Sequence, residues 1–545
     1  MARVSSSLYL RMTLLVLFLA SPCALGADPP LKRKDWSTLN AAEVAAVRNA
    51  ILEMMKKDCK AGQEAPACEQ ADDGTKADAD LSPLGWKYQA SIHGSLPGAV
   101  KQNGWNTCQH SSWFFLPWHR MELYFFERIL RKSSGNNTLT LPYWNFGVQP
   151  KLLPDFRMKM IDGKPNALWW KFRNSKLNTD DKPLCPNVVA TDKAFSQTAF
   201  FTNIVSNGGM SFGGGAITSK LHLPGGPGSG QIEDTPHNRI HGAVGDDTKK
   251  SMSDPDGSGL DPIFWPIHAN IDRAWACWQQ KHPGSEPQSA VWLKNVKFRF
   301  FDVQDAAPGY KAVLMTGGEV INTAKQLGYE YDDPCAGFQL PAMAEGVESL
   351  AAPEELGAAS LSDPLIATAE FHGTLTSEPI TVPIHLPPAV QQRIRTLLRE
   401  GARPGSIVLE IGGLAVDKPV GAAYQIYLNL PDWGVHYQSG HYVDNLSFFG
   451  IGHHGSDTAG AGDVGDTGTS LAHHAGETKS QVVAEPVMYD ITDTVLQLVE
   501  NGDWQGDQVS VTFANAAAAA DDCADPPAAP ADAQARFTQI SLIVY

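Results

Sequence analysis

The pattern of apolar and polar positions changes character along this chain. Up to about residue 335 the long apolar segments have helical spacing. From Ile366 onward they become short runs of β-formers separated by turns. Between Asn40 and Lys57, Ala, Val, Ile and Met recur on one helical face. Ser37 or Asn40 can cap that helix, and Glu43, three residues beyond Asn40, favours Asn40. The most apolar stretch is CQHSSWFFLPWHRMELYFFERIL, Cys108 to Leu130, which must be buried. Pro117 there suits the first position of a helix running to about Lys132 and stopping near Ser134-Gly135. Pro236 in EDTPHNRIH (Glu233–His241) marks another start, with Thr235 or Asp234 as cap. Pro266 starts a third helix in DPIFWPIHANIDRAW, which Lys281-His282-Pro283-Gly284 closes. A short helix ends near His93, before Pro97-Gly98. Residues 60–82 read as a polar surface loop, and 142–232 as long loops over the helices. Residues 341–365 have linker composition. TAEFHGTLT, ITVPIHL, SIVLEIGGLAV, AAYQIYLNL, VSVTFAN and TQISLIVY then predict an all-β sandwich over 366–545.

The histidines give this frame a chemistry. His110 and His119 lie inside the aromatic run, and a buried imidazole is costly unless both ring nitrogens are satisfied. His119 falls in the first turn of its helix, where the positive helix end keeps it neutral and able to bind a metal. His237 and His241, four apart, leave one helix face. His268 sits among apolar residues, and His93 lies upstream in SIHG. Three histidines before residue 120 and three after residue 236 suggest two metal sites facing each other. All-imidazole ligation suits copper, iron, nickel or zinc, and the HExxH pattern of a zinc hydrolase is missing.

HSSWFFLPWHRMELYFFE, PHNRIH and DPIFWPIHANIDRAW resemble the two copper-binding regions of the tyrosinase and polyphenol oxidase (catechol oxidase) family, which also occur in molluscan haemocyanins. The resemblance covers roughly residues 33–335. It implies a mainly α catalytic domain over 27–340, a four-helix bundle holding two copper ions, with O2 as co-substrate. His93, His110 and His119 would bind one copper, and His237, His241 and His268 the other. Cys108, two residues before His110, matches a cysteine that some relatives join to that histidine as a thioether; a disulfide or a free thiol is the alternative. Glu233 and Asn238 match a pair that holds a proton-accepting water for monophenol hydroxylation, although an acid at a helix N-terminus is favourable in any case. Phe264 would form an aromatic wall over the metals. Asp272 would accept a hydrogen bond behind a ligand or lie on the helix surface. LGYEYDDPCAG resembles the motif that ends the family's catalytic domain, with Tyr329 and Tyr331 pairing with Arg33. The family usually has His-His where this chain has Ile267-His268. The loop Asp246–Gly259, with Met252 and Ser253, has no large aromatic gate, which leaves the entrance open. The β-domain looks like that of plant polyphenol oxidases, which implies a cover that keeps the enzyme latent until the linker is cut.

The implied function is a secreted phenol oxidase that turns o-diphenols into o-quinones and also hydroxylates monophenols at the ortho position. A haemocyanin-like oxygen carrier and a catechol oxidase without monophenolase activity are the alternatives. At 545 residues two domains are expected. The net charge of -16 argues against nucleic acid or an anionic membrane as partner, and the resemblance implies a small phenolic substrate. Residues 1–26 read as an export signal: Arg3 and Arg11, an apolar run from Met12 to Ala20, then Ala24-Leu25-Gly26. Cleavage removes Cys23 and leaves Cys59, Cys68, Cys108, Cys185, Cys277, Cys335 and Cys523. Export permits disulfides; Cys59 and Cys68 could close a small loop, and Cys108 is the natural odd one out. Asn136-Asn137-Thr138 is a glycosylation sequon. The pairs His453-His454 and His473-His474 could hand over copper or simply belong to a flexible insertion.

Overall fold

The computed structural model describes residues 29–71, 73–203, 209–220, 228–340, 364–400, 406–418, 421–431, 439–451, 486–504, 507–515 and 522–545. The expected export signal, residues 341–363 of the linker and both His-His pairs lie outside them. No helix among the described residues is long and apolar enough to cross a membrane.

The first half is built on the helices Ala41–Asp58, Trp86–His93, Phe115–Ser134 and Phe264–Lys281. Asn40 caps the first helix, its side chain accepting from the Ala42 and Glu43 N–H groups while Glu43 reaches back to the Asn40 N–H. Phe115–Ser134 packs against Ala41–Asp58 and Phe264–Lys281. Phe126 stacks on Trp265 at that second contact, with ring centroids 3.4 Å apart. Phe115–Ser134 ends on Gly135, whose φ of 66° is left-handed and costs glycine nothing.

Three expected helix starts are corrected. Pro117 and Pro266 are each the third residue of their helix, where the missing N–H still has no partner inside the helix. Around Pro236 the departure is larger. The Thr235–Pro236 peptide is cis and Thr235 is extended, so the regular helix starts only at Arg239 and ends at Val244.

A buried charge network ties the chain ends of this half together. Leu31–Arg33 pairs in parallel with Tyr329–Tyr331, and the Arg33 guanidinium lies 3.6 Å from the Tyr329 ring centroid. Arg33 Nε donates to Glu127 at 2.8 Å, and Asp272 accepts from Arg33, Arg120, Tyr329 and Tyr331. Burial pushes the Asp272 carboxyl up, but Arg120 and Arg33 outweigh it and hold it below its usual range. Asp272 is therefore neither a surface residue nor an acceptor for a histidine.

The second half has two four-stranded sheets. One runs Tyr442–Ser447, Ala423–Leu428, Gln508–Ala514, Ile380–His385; the other runs Val487–Asp490, Ile407–Gly412, Gln539–Val544, Leu365–Glu370. One buried core takes Val382, Ile426 and Val511 from the first sheet and Ile411, Ile540 and Leu542 from the second. The expectation of helices followed by strands holds, but this half is not all β. Pro388–Glu400 and Thr492–Asn501 are helices, the latter burying Val495 and Leu498.

The disulfides are Cys59–Cys68, Cys277–Cys335 and Cys185–Cys523, and Cys108 is buried outside any disulfide. The region 60–82 is not wholly surface, because Cys68 and Glu69 within it are buried. Cys185–Cys523 joins residues 338 apart and fastens the end of the chain to the helical half. Beside it Leu184 bridges to Ala524, and Asp525 accepts from Arg239 at 2.5 Å and from Asn187 at 2.7 Å. Asn445 Nδ2 also donates to Thr235 Oγ1 at 3.0 Å.

Candidate metal centre

All six candidate histidines are buried and meet at one place. His93 is the last residue of Trp86–His93, His110 lies in the loop before Phe115–Ser134, and His119 is in that helix's first turns. His237 precedes the short helix that carries His241, and His268 lies in the first turns of Phe264–Lys281. In the first trio the ring centroids are 5.3 Å (His93–His110), 5.5 Å (His93–His119) and 5.0 Å (His110–His119) apart. In the second they are 4.6 Å (His237–His241), 4.9 Å (His237–His268) and 5.3 Å (His241–His268) apart. The trios face each other, with His119 stacked on His268 at 4.7 Å and His110 lying 5.6 Å from His237.

The hydrogen bonds point one ring nitrogen of each of four histidines away from the centre. The Nδ1 atoms of His93, His119 and His241 lie 3.1, 2.8 and 2.8 Å from the carbonyls of Pro255, Phe115 and Met252. His237 Nδ1 lies 2.9 Å from Asn238 Oδ1. Such contacts fix the tautomer and leave Nε2 with a lone pair. Nε2 of His119 and of His237 meets no hydrogen-bond partner among the described residues, and Nε2 of His241 and His268 are 3.1 Å apart.

Burial is the largest cause of the neutrality of these rings. It pushes His119 down to about 3 and His241 to about 4, and takes His237 and His268 well below the usual histidine range. The helix end invoked for His119 is thus not needed to explain its neutrality. Uncharged imidazoles with free lone pairs, packed this closely, suit a soft to borderline divalent or monovalent metal. Among the described residues, two groups of three have ligand atoms within 4.8 Å of one another: His237 with His241 and His268, and His93 with Cys108 and His110.

The other candidates fall as follows. Cys108 is beside His93 and His110. Phe264 lies against the centre, 4.1 Å from His268 and 5.0 Å from His93. Glu233 is buried, and both its oxygens accept the Ser111 N–H, at 2.8 and 3.0 Å. Ser111 follows His110 and has a left-handed φ of 52°, so this bond fixes the loop that presents His110. Burial raises the Glu233 carboxyl to about 8. Asn238 spends its side-chain oxygen on His237.

The sequence reading missed three contributors. Phe115 lies 4.7 Å from both His119 and His237. The loop Asp246–Gly259, read as an entrance, supplies the Met252 and Pro255 carbonyls that hold His241 and His93. Phe449, from the second half, lies 4.6 Å from the His241 ring and 6.0 Å from His237, so the side expected to be open carries an aromatic ring. Helical spacing near Phe115 was a usable signal; nothing in SFFGIG announces what Phe449 faces.

Paired histidine trios at the heart of a helical core define a class of dinuclear metal protein, and the comparisons narrow it. A family model, the common central domain of tyrosinase, matches residues 83–207 and 170–281. Tyrosinase HcTyr1 of Hahella sp. (strain CCB-MM4) is 35% identical over 319 residues, which are 51% of this chain and 62% of that protein. A chloroplastic polyphenol oxidase of Vitis vinifera is 31% identical over 283 residues, which are 47% of this chain and 43% of that one. The chain thus spans less than two thirds of the length of either relative. The structure of latent apple tyrosinase superposes with a TM-score of 0.54 at 19% identity, covering 95% of this chain and 98% of that one, which extends the shared fold to the β half. Residues 83–281 thus match the central domain of tyrosinase, and the chain is similar to tyrosinases and polyphenol oxidases.

Proposed function

We propose that the protein is a copper-dependent phenol oxidase that converts o-diphenols to o-quinones with O2 and also hydroxylates monophenols at the ortho position. The observation that carries this reading is the meeting of two buried histidine trios, with His119 stacked 4.7 Å from His268. His93, His110 and His119 would hold one copper, and His237, His241 and His268 the other. A bound copper pair supplies the two-electron redox capacity that O2 needs to react with a phenol.

The chain's own residues do the rest. Phe115 and Phe264 exclude water and give a phenol ring apolar surface to lie against. The carbonyls of Phe115, Met252 and Pro255 orient the ligand rings. Glu233, raised to about 8, has an acidity matched to a phenolic proton near neutral pH. In this conformation it faces the Ser111 N–H, so it serves the His110 loop as well.

The proposed catalytic unit is residues 27–340 and the proposed cover 366–545. Phe449 occupies the space over His241 and His237 where a phenol ring would enter, so the covered chain is a latent form. Assay of the copper-loaded full chain on a catechol and on a monophenol, before and after proteolysis, tests the reading. Quinone formation that rises after cleavage and reduction of Cys185–Cys523 supports it. Reversible O2 uptake without quinone would instead make the protein an oxygen carrier. Oxidation of the catechol alone would remove the monophenolase part.

A further inference from the structure

The His93 helix is anchored at its other end in an unusual way. Its N-cap, Gly85, has no side chain to cap the first turn. Asp58, the last residue of Ala41–Asp58, does so from outside, with Oδ2 accepting the Lys87 N–H at 2.7 Å. The fit is close: a Cβ on residue 85 would lie 2.0 Å from Asp58 Oδ1.

Asp58 has a buried acidic neighbour. Asp58 immediately precedes Cys59 and Glu69 immediately follows Cys68, so the Cys59–Cys68 disulfide brings the two acids together. Asp58 is fully buried and Glu69 is 2% exposed. Burial pushes both carboxyls up, Asp58 to about 6 and Glu69 well above the carboxylate range, and the Asp58 charge pushes Glu69 further. Asp58 Oδ1 and Glu69 Oε1 meet no N–H or O–H donor among the described residues. One proton between the two groups satisfies both oxygens, whereas two adjacent buried charges would repel.

The ammonium groups around the pair are those of Lys57, Lys76, Lys87 and Lys250. Each is committed elsewhere: Lys57 to the Glu53 carbonyl, Lys76 to the Lys57 carbonyl, Lys87 to Asp78 and Thr75, Lys250 to the Ala71 carbonyl.

We propose that Asp58 and Glu69, stapled by Cys59–Cys68, form a one-proton carboxyl pair whose single charge caps the His93 helix and thereby sets where His93 presents its Nε2. Both are positioning residues for the metal centre; neither touches it. The inference rests on His93 being a copper ligand.

The test is copper retention by the full chain against a competing chelator from pH 5 to 9, with folding checked by circular dichroism. Asp58→Asn keeps the acceptor for Lys87 and offers an amide donor to Glu69, so it should match wild type near pH 6. Asp58→Ala strips the cap and should hold the first copper about five- to tenfold more weakly, tending toward one copper per chain. Glu69→Gln cannot ionise. It should lack the decline in retention that wild type shows as rising pH removes the shared proton, a decline of at most about tenfold per pH unit.

Retention by Asp58→Ala equal to wild type would overturn the proposal. If that variant does not fold, identical pH profiles for Glu69→Gln and wild type would overturn it just as well. A wild-type chain that binds no copper would instead sink the underlying functional reading.

Discussion

The two histidine trios are built from the same parts but face different surroundings. Among the described contacts, the first trio is enclosed by the helical half alone: Phe115, Trp118, Phe264 and the Cys108–Ser111 loop. The second trio shares its surroundings with the β half, through Phe449 against His241 and His237. The segment before His237 is also held from that side, by Asn445 on Thr235. Among the described contacts, the β half therefore meets the centre at the second trio, while two rings of each trio are held through Nδ1.

The strongest way to break this comparison is to remove one ligand from each side. His119→Ala and His241→Ala should each lower activity by about a thousandfold or more, because two-electron chemistry needs both metals. Copper content should fall toward one per chain in either variant. Two coppers retained in both would remove the assignment of one trio to one metal.

A smaller effect, in the opposite direction, comes from the cover. Cutting residues 341–363 alone should leave the halves joined, because Cys185–Cys523 spans the cut. Cleavage followed by reduction should free the β half and raise catechol turnover by about ten- to a hundredfold, if the closed form hides most of the sites. Phe449→Ala should give part of that gain with no cleavage. Equal turnover in cut chains with and without reduction would show that the disulfide does not hold the cover in place.

Asn238→Ala should act more locally, weakening copper at the second trio by about tenfold as His237 loses the acceptor for its Nδ1. The thioether expectation is read on the first trio. After copper and O2 exposure, a peptide joining Cys108 to His110 should weigh two hydrogens less than the reduced form. An alkylatable Cys108 in the denatured, oxygen-exposed protein would rule it out.

The same asymmetry explains what was legible in the sequence. The first half could be read because one purpose governs each stretch: apolar residues on a helical face, with histidines interrupting them. The Asn40–Glu43 box and the six histidines follow from such local signals, whereas the Arg33–Tyr331 pairing is implied only by the family resemblance. The strands Tyr442–Ser447 and Val487–Asp490 were not read, since the first carries buried Asp444 and Asn445, which serve the other half rather than their own core. Pro388–Glu400 does have helical spacing, Val390 to Ile394 to Leu397, and was passed over among the strands. The role of Phe449 depends on contacts across hundreds of residues, which no local pattern encodes.

The finest discrimination concerns Glu233, which sits in the segment leading to the second trio yet bonds the loop of the first. In the folded chain burial raises its carboxyl to about 8, while the unfolded chain ionises it in the ordinary carboxylate range. Between those values the unfolded state binds fewer protons, so stability falls as pH rises. The contribution is whole in acid below the ordinary range and is lost by about pH 8. Glu233→Gln keeps a side-chain oxygen for the Ser111 N–H but cannot ionise. Thermal melts of the apoprotein from pH 5 to 8 should therefore decline less steeply in the variant, and the gap between the two curves should widen toward pH 8. Parallel curves would mean that Glu233 is ionised throughout. In that case it would be a standing charge beside Ser111, and its match to a phenolic proton would be lost.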